Sequence, residues 1–411
     1  MVDESGNVLP EALRIFNNTL KKYNSGAYIT SIPGLEEKLQ KRQTAVPLTD
    51  QCSEGEGVGN DILYYGSMNV RGKPFTIQFD TGSSDFFLPG PKCTSAQGCP
   101  GTSRYDEGGK DLGNTTTVTY GSGAIKGENF LDTVTVGNLS ATNVNIISLT
   151  NAEGFNSSES DGLMGMAFST LANSRQPTFV EQLIAEKKIP SKEFCYHLGR
   201  CSTGTHAQSE LSIGSHNPAK YTGNLLTVPV VSKDYWRVAV DGYQVNSAAV
   251  PISAQAAIDT GTTAIIASTA YAAPIGEALG GIPLQLGGSA NFPIIAYAFP
   301  CANAQNTTIS FTFAGEPLAI HPNDLVLGTI ELGFAELLNI APLTARVKAA
   351  QADPAQTLCV GSVLQADIGL TMDPPVTNFH IIGDTFLKNW YSCYSYDAVD
   401  GKPAVLFGKS V

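Results

Sequence analysis

The sequence predicts an all-β protein built as two pseudo-symmetric β lobes. Three observations lead there. An apolar strand ending in Asp-Thr-Gly and two hydroxyl residues occurs twice, as Asp80-Thr81-Gly82-Ser83-Ser84 and as Asp259-Thr260-Gly261-Thr262-Thr263. Each copy is followed at long range by two apolar residues and a glycine, Leu163-Met164-Gly165 and Ile381-Ile382-Gly383, a four-part repeat that implies two similar units. From Asp61 onward, short strand-like segments alternate with Gly- and Asn-rich turns, in a chain with 41 glycines and 23 prolines. At 411 residues the chain is too long for an ordinary single domain.

Residues 1–42 differ from the rest. Leu9 to Tyr23 reads as a helix with Leu13, Phe16 and Leu20 at helical spacing, and Leu35 to Gln40 as a short second one. Lys41-Arg42 then forms a dibasic pair. The segment is either an exposed charged linker or a propeptide ending at a processing site. It carries six Lys/Arg against five Asp/Glu, a net of +1, so the remainder holds −13 against the whole chain's −12. That sign suits an inhibitory segment on an acidic partner. Lys21 and Lys22 are the candidate lock, or simply solvated helix residues. The expected division is a propeptide over 1–42, an N-terminal lobe over 43–222 and a C-terminal lobe over 223–411.

In the first repeat, Phe75, Ile77 and Phe79 alternate with Thr76 and Gln78, the period of a half-buried strand. Asp80 then falls on a tight loop inside the protein. A buried carboxylate must be hydrogen-bonded, and Thr81, Ser83, Ser84 and the Gly82 amide are donors in place. Alone, the stretch is also an ordinary strand ending in an Asx turn. The second copy lies 179 positions on. Two carboxylates meeting at a two-fold axis would form a general acid and base pair. Farther along, Thr115 to Tyr120 and Ala124 to Val136 read as a hairpin tipped by Gly121-Ser122-Gly123. Pro177 to Lys187 reads as a helix, Phe194 to Ile213 as the crossing between lobes, and Ile330 to Ala350 as an inserted surface helix.

Composition narrows the function. Charged residues are 15%, against about 25% in typical soluble domains. The net charge of −12 argues against nucleic acid, whose phosphates need Lys and Arg. It suits work in acid, where carboxylates take up protons and repel less. No apolar run is long enough to span a membrane. No apolar signal region opens the chain, so a signal peptide is expected to have been removed. Eight cysteines occur without a C-x-x-C pair, and five histidines without metal-ligand spacing. Cys195, His197 and Cys201 cluster but lack a fourth ligand, so neither metal nor cofactor is expected. Asn-x-Ser/Thr acceptors stand at Asn17, Asn114, Asn138, Asn156 and Asn306. With an even cysteine count they point to a secreted glycoprotein, extracellular or vacuolar.

Tyr64-Tyr65-Gly66, the two Asp-Thr-Gly loops, Tyr120-Gly121-Ser122-Gly123, Asp161 to Ala167, Tyr235-Trp236 and Ile381 to Leu387 occur in one order. From about Leu63 to the C-terminus the chain resembles the pepsin-like aspartic proteases, particularly secreted fungal ones. The resemblance implies the bilobal acid protease fold, with a cleft between the two β lobes, and an endopeptidase made as a self-inhibited zymogen. It implies catalytic Asp80 and Asp259, with Thr81 and Thr260 cross-linking the loops. Ser83 and Thr262 would bond the outer carboxylate oxygens, and Gly82 and Gly261 would let amides approach. Tyr120, with Gly121 and Ser122, would form the flap over an extended substrate. Partners would be protein and peptide substrates with large apolar residues around the cut, and pepstatin-like inhibitors. The enzyme would be a monomer without a membrane anchor. The family pattern implies disulfides Cys93–Cys99 and Cys301–Cys359. Cys52, Cys195, Cys201 and Cys393 are additional, with Cys195–Cys201 the local option, leaving Cys52–Cys393.

Three departures stand out. Phe87 occupies the place of a tryptophan that would bond the flap tyrosine, and it has no donor. Gln78 replaces an apolar pocket residue. Ser122 replaces an acid that accepts basic side chains in some relatives. A non-catalytic binding protein of the same fold is the alternative, but such proteins usually lose an aspartate or flap residue. A wall-anchored protease would need an apolar tail after Phe407 to Val411.

Overall fold

A computed structural model describes residues 43–52, 61–120, 123–153, 159–288, 293–330, 341–353 and 356–411. The expected helices of residues 1–42, Lys21, Lys22, Lys41, Arg42, Gly121, Ser122, Asn17 and Asn156 lie outside them. Of Tyr120 only the backbone is described.

The two repeats fold alike. Strand Lys73–Asp80 runs parallel to Gly162–Gly165, with Asp80 opposite Gly165. Strand Ala254–Ile258 runs parallel to Phe379–Ile382, with Ile258 opposite Ile382. In each half a third strand, Phe86–Pro89 or Ile265–Ala267, lies antiparallel to the later strand of that pair. On its other side it runs parallel to a fourth, Leu139–Glu153 or Val363–Gln365. The apolar-apolar-glycine motifs thus lie beside the Asp-Thr-Gly strands. This is the bilobal pepsin-like β fold.

Six antiparallel strands join the halves. Their order is Thr44–Cys52, Glu210–Ile213, Glu193–His197, Trp390–Val399, Lys402–Ser410 and Tyr221–Lys233. The stretch from Phe194 to Ile213, expected as the crossing, supplies two neighbouring strands of this sheet. Phe194 stacks on Tyr394 with centroids 5.0 Å apart, and Trp236 packs on Phe168 at 4.4 Å. The Trp236 indole donates to the Met166 carbonyl at 2.9 Å, which satisfies its only polar atom.

Helix Phe179–Ala185 lies within the expected Pro177–Lys187 span. Thr178 caps it reciprocally with Glu181, and Phe179, Val180 and Leu183 are buried. The inserted helix is Ala341–Ala352. Its Leu343 and Val347, four apart on one face, bury against Leu284, Ala298, Ile330 and Leu358.

All eight cysteines are paired. Cys93–Cys99 and Cys301–Cys359 occur as the family pattern implies. The other expected pairs do not: the bonds are Cys195–Cys393 and Cys52–Cys201. Cys195 and Cys393 stand directly opposite across an antiparallel strand pair, with Cα atoms 4.0 Å apart. The strand rises about 3.3 Å per residue, and carries the chain away from Cys195 to where Cys201 meets Cys52. Neither Cys195 nor Cys201 is a free thiolate for a metal.

Candidate active site

Each Asp-Thr-Gly loop follows a strand whose inward side chains anchor it: Phe75, Ile77 and Phe79 in the first, Ala256 and Ile258 in the second. Asp80 and Asp259 are buried residues, 6% and 7% exposed. Their hydrogen bonds are mirror images. The Gly82 amide donates to Asp80 Oδ1 at 2.7 Å and the Ser83 hydroxyl to Oδ2 at 2.5 Å. The Gly261 amide donates to Asp259 Oδ1 at 2.7 Å and the Thr262 hydroxyl to Oδ2 at 2.7 Å.

Two threonines tie the loops together. Thr81 Oγ1 donates to the Ile258 carbonyl at 2.7 Å and accepts from the Thr260 amide at 2.9 Å. Thr260 Oγ1 donates to the Phe79 carbonyl at 2.8 Å and accepts from the Thr81 amide at 3.1 Å. The glycines matter through close approach. A Cβ on Gly82 would stand 2.4 Å from the Asp259 carboxyl, and one on Gly261 2.1 Å from Asp80 Oδ1. Each glycine therefore lies against the opposite loop's carboxyl. Beneath them, a Cβ on Gly165 would meet the Ser84 backbone and one on Gly383 the Thr262 and Ala264 carbonyls.

Burial, then the facing Asp259 carboxyl, pushes Asp80 well above the ordinary carboxylate range, while Ser83 and the Gly82 amide pull the other way. A carboxyl that keeps its proton beside a second one is the arrangement an acid and base pair needs.

The expected hairpin is Lys110–Tyr120 against Gly123–Val136. Phe87 is buried in a cluster with Val118 and Ile125, one from each hairpin strand. An apolar contact thus underlies the hairpin where a donor is missing. Gln78 shares the strand face of Asp80 and lies level with Tyr65 and Leu163. The Tyr65 hydroxyl donates to Glu159 at 2.9 Å, an exposed contact.

The sequence does not show the roles of two further acids, Asp85 and, within the Ile381 to Leu387 motif, Asp384. Asp85 accepts from the Asn173 and Ser174 amides at 2.8 and 3.0 Å. Asp384 is buried with neither oxygen hydrogen-bonded among the described residues. Burial raises its carboxyl well above the usual range. It opens helix Asp384–Leu387, next to the Gly383 motif. The acceptors Asn114, Asn138 and Asn306 are exposed.

The family described as eukaryotic aspartyl protease matches residues 63–402. The chain is 30% identical over 377 residues to an aspartic protease of Phaffia rhodozyma, covering 90% of this chain and 80% of the relative. It is 28% identical over 399 residues to rhizopuspepsin of Rhizopus chinensis, covering 95% and 88%. To cathepsin D of Dictyostelium discoideum it is 26% identical over 367 residues, covering 86% and 84%. Among the described residues no helix is long and apolar enough to cross a membrane. The chain belongs to the eukaryotic aspartyl protease family and is an aspartic-type endopeptidase.

Proposed function

We propose that this protein is a secreted endopeptidase that cuts peptide bonds in acid through Asp80 and Asp259, and that residues 1–42 hold it inactive. The reading rests on one observation above all: two mirror-image Asp-Thr-Gly loops whose glycines each abut the other loop's carboxyl. One carboxylate takes a proton from a water molecule, which attacks the scissile carbonyl carbon. The other, protonated, donates to the carbonyl oxygen. The tetrahedral diol collapses when the amine nitrogen takes a proton. Ser83, Thr262 and the two glycine amides hold the carboxyls, and Thr81 and Thr260 hold the loops. No covalent intermediate is needed.

The hairpin ending at Tyr120, with Gly121 and Ser122, closes over an extended peptide and excludes water. Large apolar side chains are preferred on both sides of the cut, with Phe86 and Phe87 nearby. Residues 43–222 form the lobe of Asp80 and 223–411 the lobe of Asp259. Four disulfides and the acceptors at Asn114, Asn138, Asn156 and Asn306 suit secretion. Pepstatin-like compounds would inhibit a monomer.

At neutral pH Lys21 or Lys22 pairs with the anionic dyad, and acid weakens that attraction as the carboxyls gain protons. Cleavage after Arg42 then leaves Gln43 first. A peptide library digested at acid pH, with and without a statine peptide, tests the activity. Statine-sensitive cleavage between large apolar residues is expected; no cleavage, or a dominant Lys or Arg requirement before the cut, contradicts it. N-terminal sequencing during acid incubation tests the zymogen. Full activity at neutral pH without processing would refute it. Equal neutral inhibition after changing Lys21 and Lys22 to Ala would remove the lysine lock.

A further inference from the structure

A second set of buried carboxyls lies away from the dyad, where the first strand enters the molecule. In strand Thr44–Cys52 the inward positions are Val46, Leu48 and Asp50. Asp50 stands where the alternation calls for an apolar residue and is 5% exposed. Around it are Asp61 and Tyr64 of the paired strand, Cys201 beyond strand Glu193–His197, and His206, which lies within 4.8 Å of the Cys201 sulfur; Lys388 follows, then Arg200 and Asp324 around Tyr64 and Asp61, and, farther off, Asp384. Lys388 Nζ lies 2.6 Å from Asp61 and 3.2 Å from Asp324. Arg200 makes a two-pronged contact with Asp324, at 2.7 Å for its closer arm. Those two cations are in contact with Asp61 and Asp324; among the described residues Lys388 acts on Asp50 only from a distance, without an ion-pair contact.

Among the described residues Asp50 also lacks a donor with a proton to spare. Its Oδ1 is buried without a hydrogen-bond partner. Its Oδ2 lies 3.0 Å from Cys201 Sγ, but that sulfur is bonded to Cys52 and has no hydrogen to give. The Tyr64 proton goes to the Gly199 carbonyl at 2.7 Å. The remaining neighbour is Asp61, within 4.8 Å. An uncompensated buried carboxylate there would be severely unfavourable, whereas a carboxylic acid can donate to Asp61.

We propose that Asp50 is an acid latch: as a protonated carboxyl shared with Asp61 it seats the Thr44–Cys52 strand in acid, and loosens that seam as the pH rises. Burial first, then Asp61, pushes the Asp50 carboxyl up from 3.8 to about 9, against smaller opposing effects of Lys388 and Tyr64. A folded value above the unfolded one means that the stabilisation is complete below about 3.8 and is lost as pH climbs through about 9. The strand in question pairs with both Asp61–Val70 and Glu210–Ile213, so it closes the joining sheet's edge. The latch would favour the assembled fold in acid and weaken it at neutral pH, independently of whether the dyad is catalytic.

The test is thermal unfolding of the full chain between pH 5 and pH 8, with and without Asp50→Asn. Both arms carry Asp259→Asn to prevent self-digestion. The amide keeps a neutral donor towards Asp61 but cannot ionise. The expected result is a melting-temperature difference in favour of Asp50→Asn that widens steadily with pH. Parallel curves would overturn the proposal. Hydrogen exchange of the Thr44–Cys52 amides in the chain with native Asp50 decides the matter even if the variant fails to fold. Protection, corrected for intrinsic exchange, should fall from pH 5 to pH 8; pH-independent protection would overturn the latch.

Discussion

At the scale of single residues, the site depends on what is absent as much as on what is present. Gly82 and Gly261 leave space for the opposing carboxyls, and no side chain fits there without moving a group that lies between two hydrogen-bond donors. Gly261→Ala is therefore expected to lower kcat/KM by at least about 10²-fold, because displacing a general acid or base forfeits most of its contribution. Its Cβ would fall 2.1 Å from Asp80 Oδ1. A circular dichroism spectrum like that of the parent would show that the fold survives, and unchanged kcat/KM would contradict this role for the glycine. These residues were legible in the sequence because they are contiguous: an acid, a hydroxyl and a glycine at fixed spacing, twice. Asp50, Asp85 and Asp384 were not. Their meaning comes from burial, and for Asp85 and Asp50 from groups far away in the chain, such as Asn173 for Asp85 and Lys388 for Asp61 beside Asp50.

At the scale of elements, local signals read well and long-range pairings did not. Helix Phe179–Ala185 announces itself through Thr178 and Glu181, and both halves of its capping box are formed. Thr178→Ala should cost about 1 kcal/mol of stability, read as a lower denaturant midpoint with little change in slope. No change would mean that packing of Phe179, Val180 and Leu183 alone holds the turn. The hairpin of Lys110–Tyr120 and Gly123–Val136 was visible from its alternation, and Phe87 packs against it with Val118 and Ile125. The cysteines misled for a physical reason. Closeness in sequence favours Cys195–Cys201, but an extended strand separates them, while Cys393 stands opposite Cys195 only because two strands nearly 200 positions apart pair in that register. Nothing in the local sequence encodes that register.

At the scale of the whole molecule, buried titratable groups oppose one another across the pH range. His380 is fully buried, accepts from the Ser268 amide at 3.2 Å through Nδ1, and leaves Nε2 without a hydrogen-bond partner among the described residues. Burial pushes it down from 6.5 to about 4, and His197 likewise. A lowered value means stability that is present above about 6.5 and is lost as pH falls through about 4. For His380 the loss is on the order of 3 kcal/mol. His380→Asn, which keeps a neutral acceptor, should flatten unfolding free energy on the acid side while Asp50 governs the other. An unaltered acid limb would show that His380 does not set it. The chain's acidic excess and its two-lobe plan were readable from composition and repeat, but these limits need the packed core. The central claim, that Asp80 and Asp259 act as one acid-base pair, is tested most directly by kcat/KM against pH for peptide cleavage by the processed enzyme, Asp80→Asn and Asp259→Asn. The account predicts cleavage confined to acid in the parent and at least about 10³-fold lower in each folded variant at every pH. Near-parental cleavage by either folded variant would contradict it.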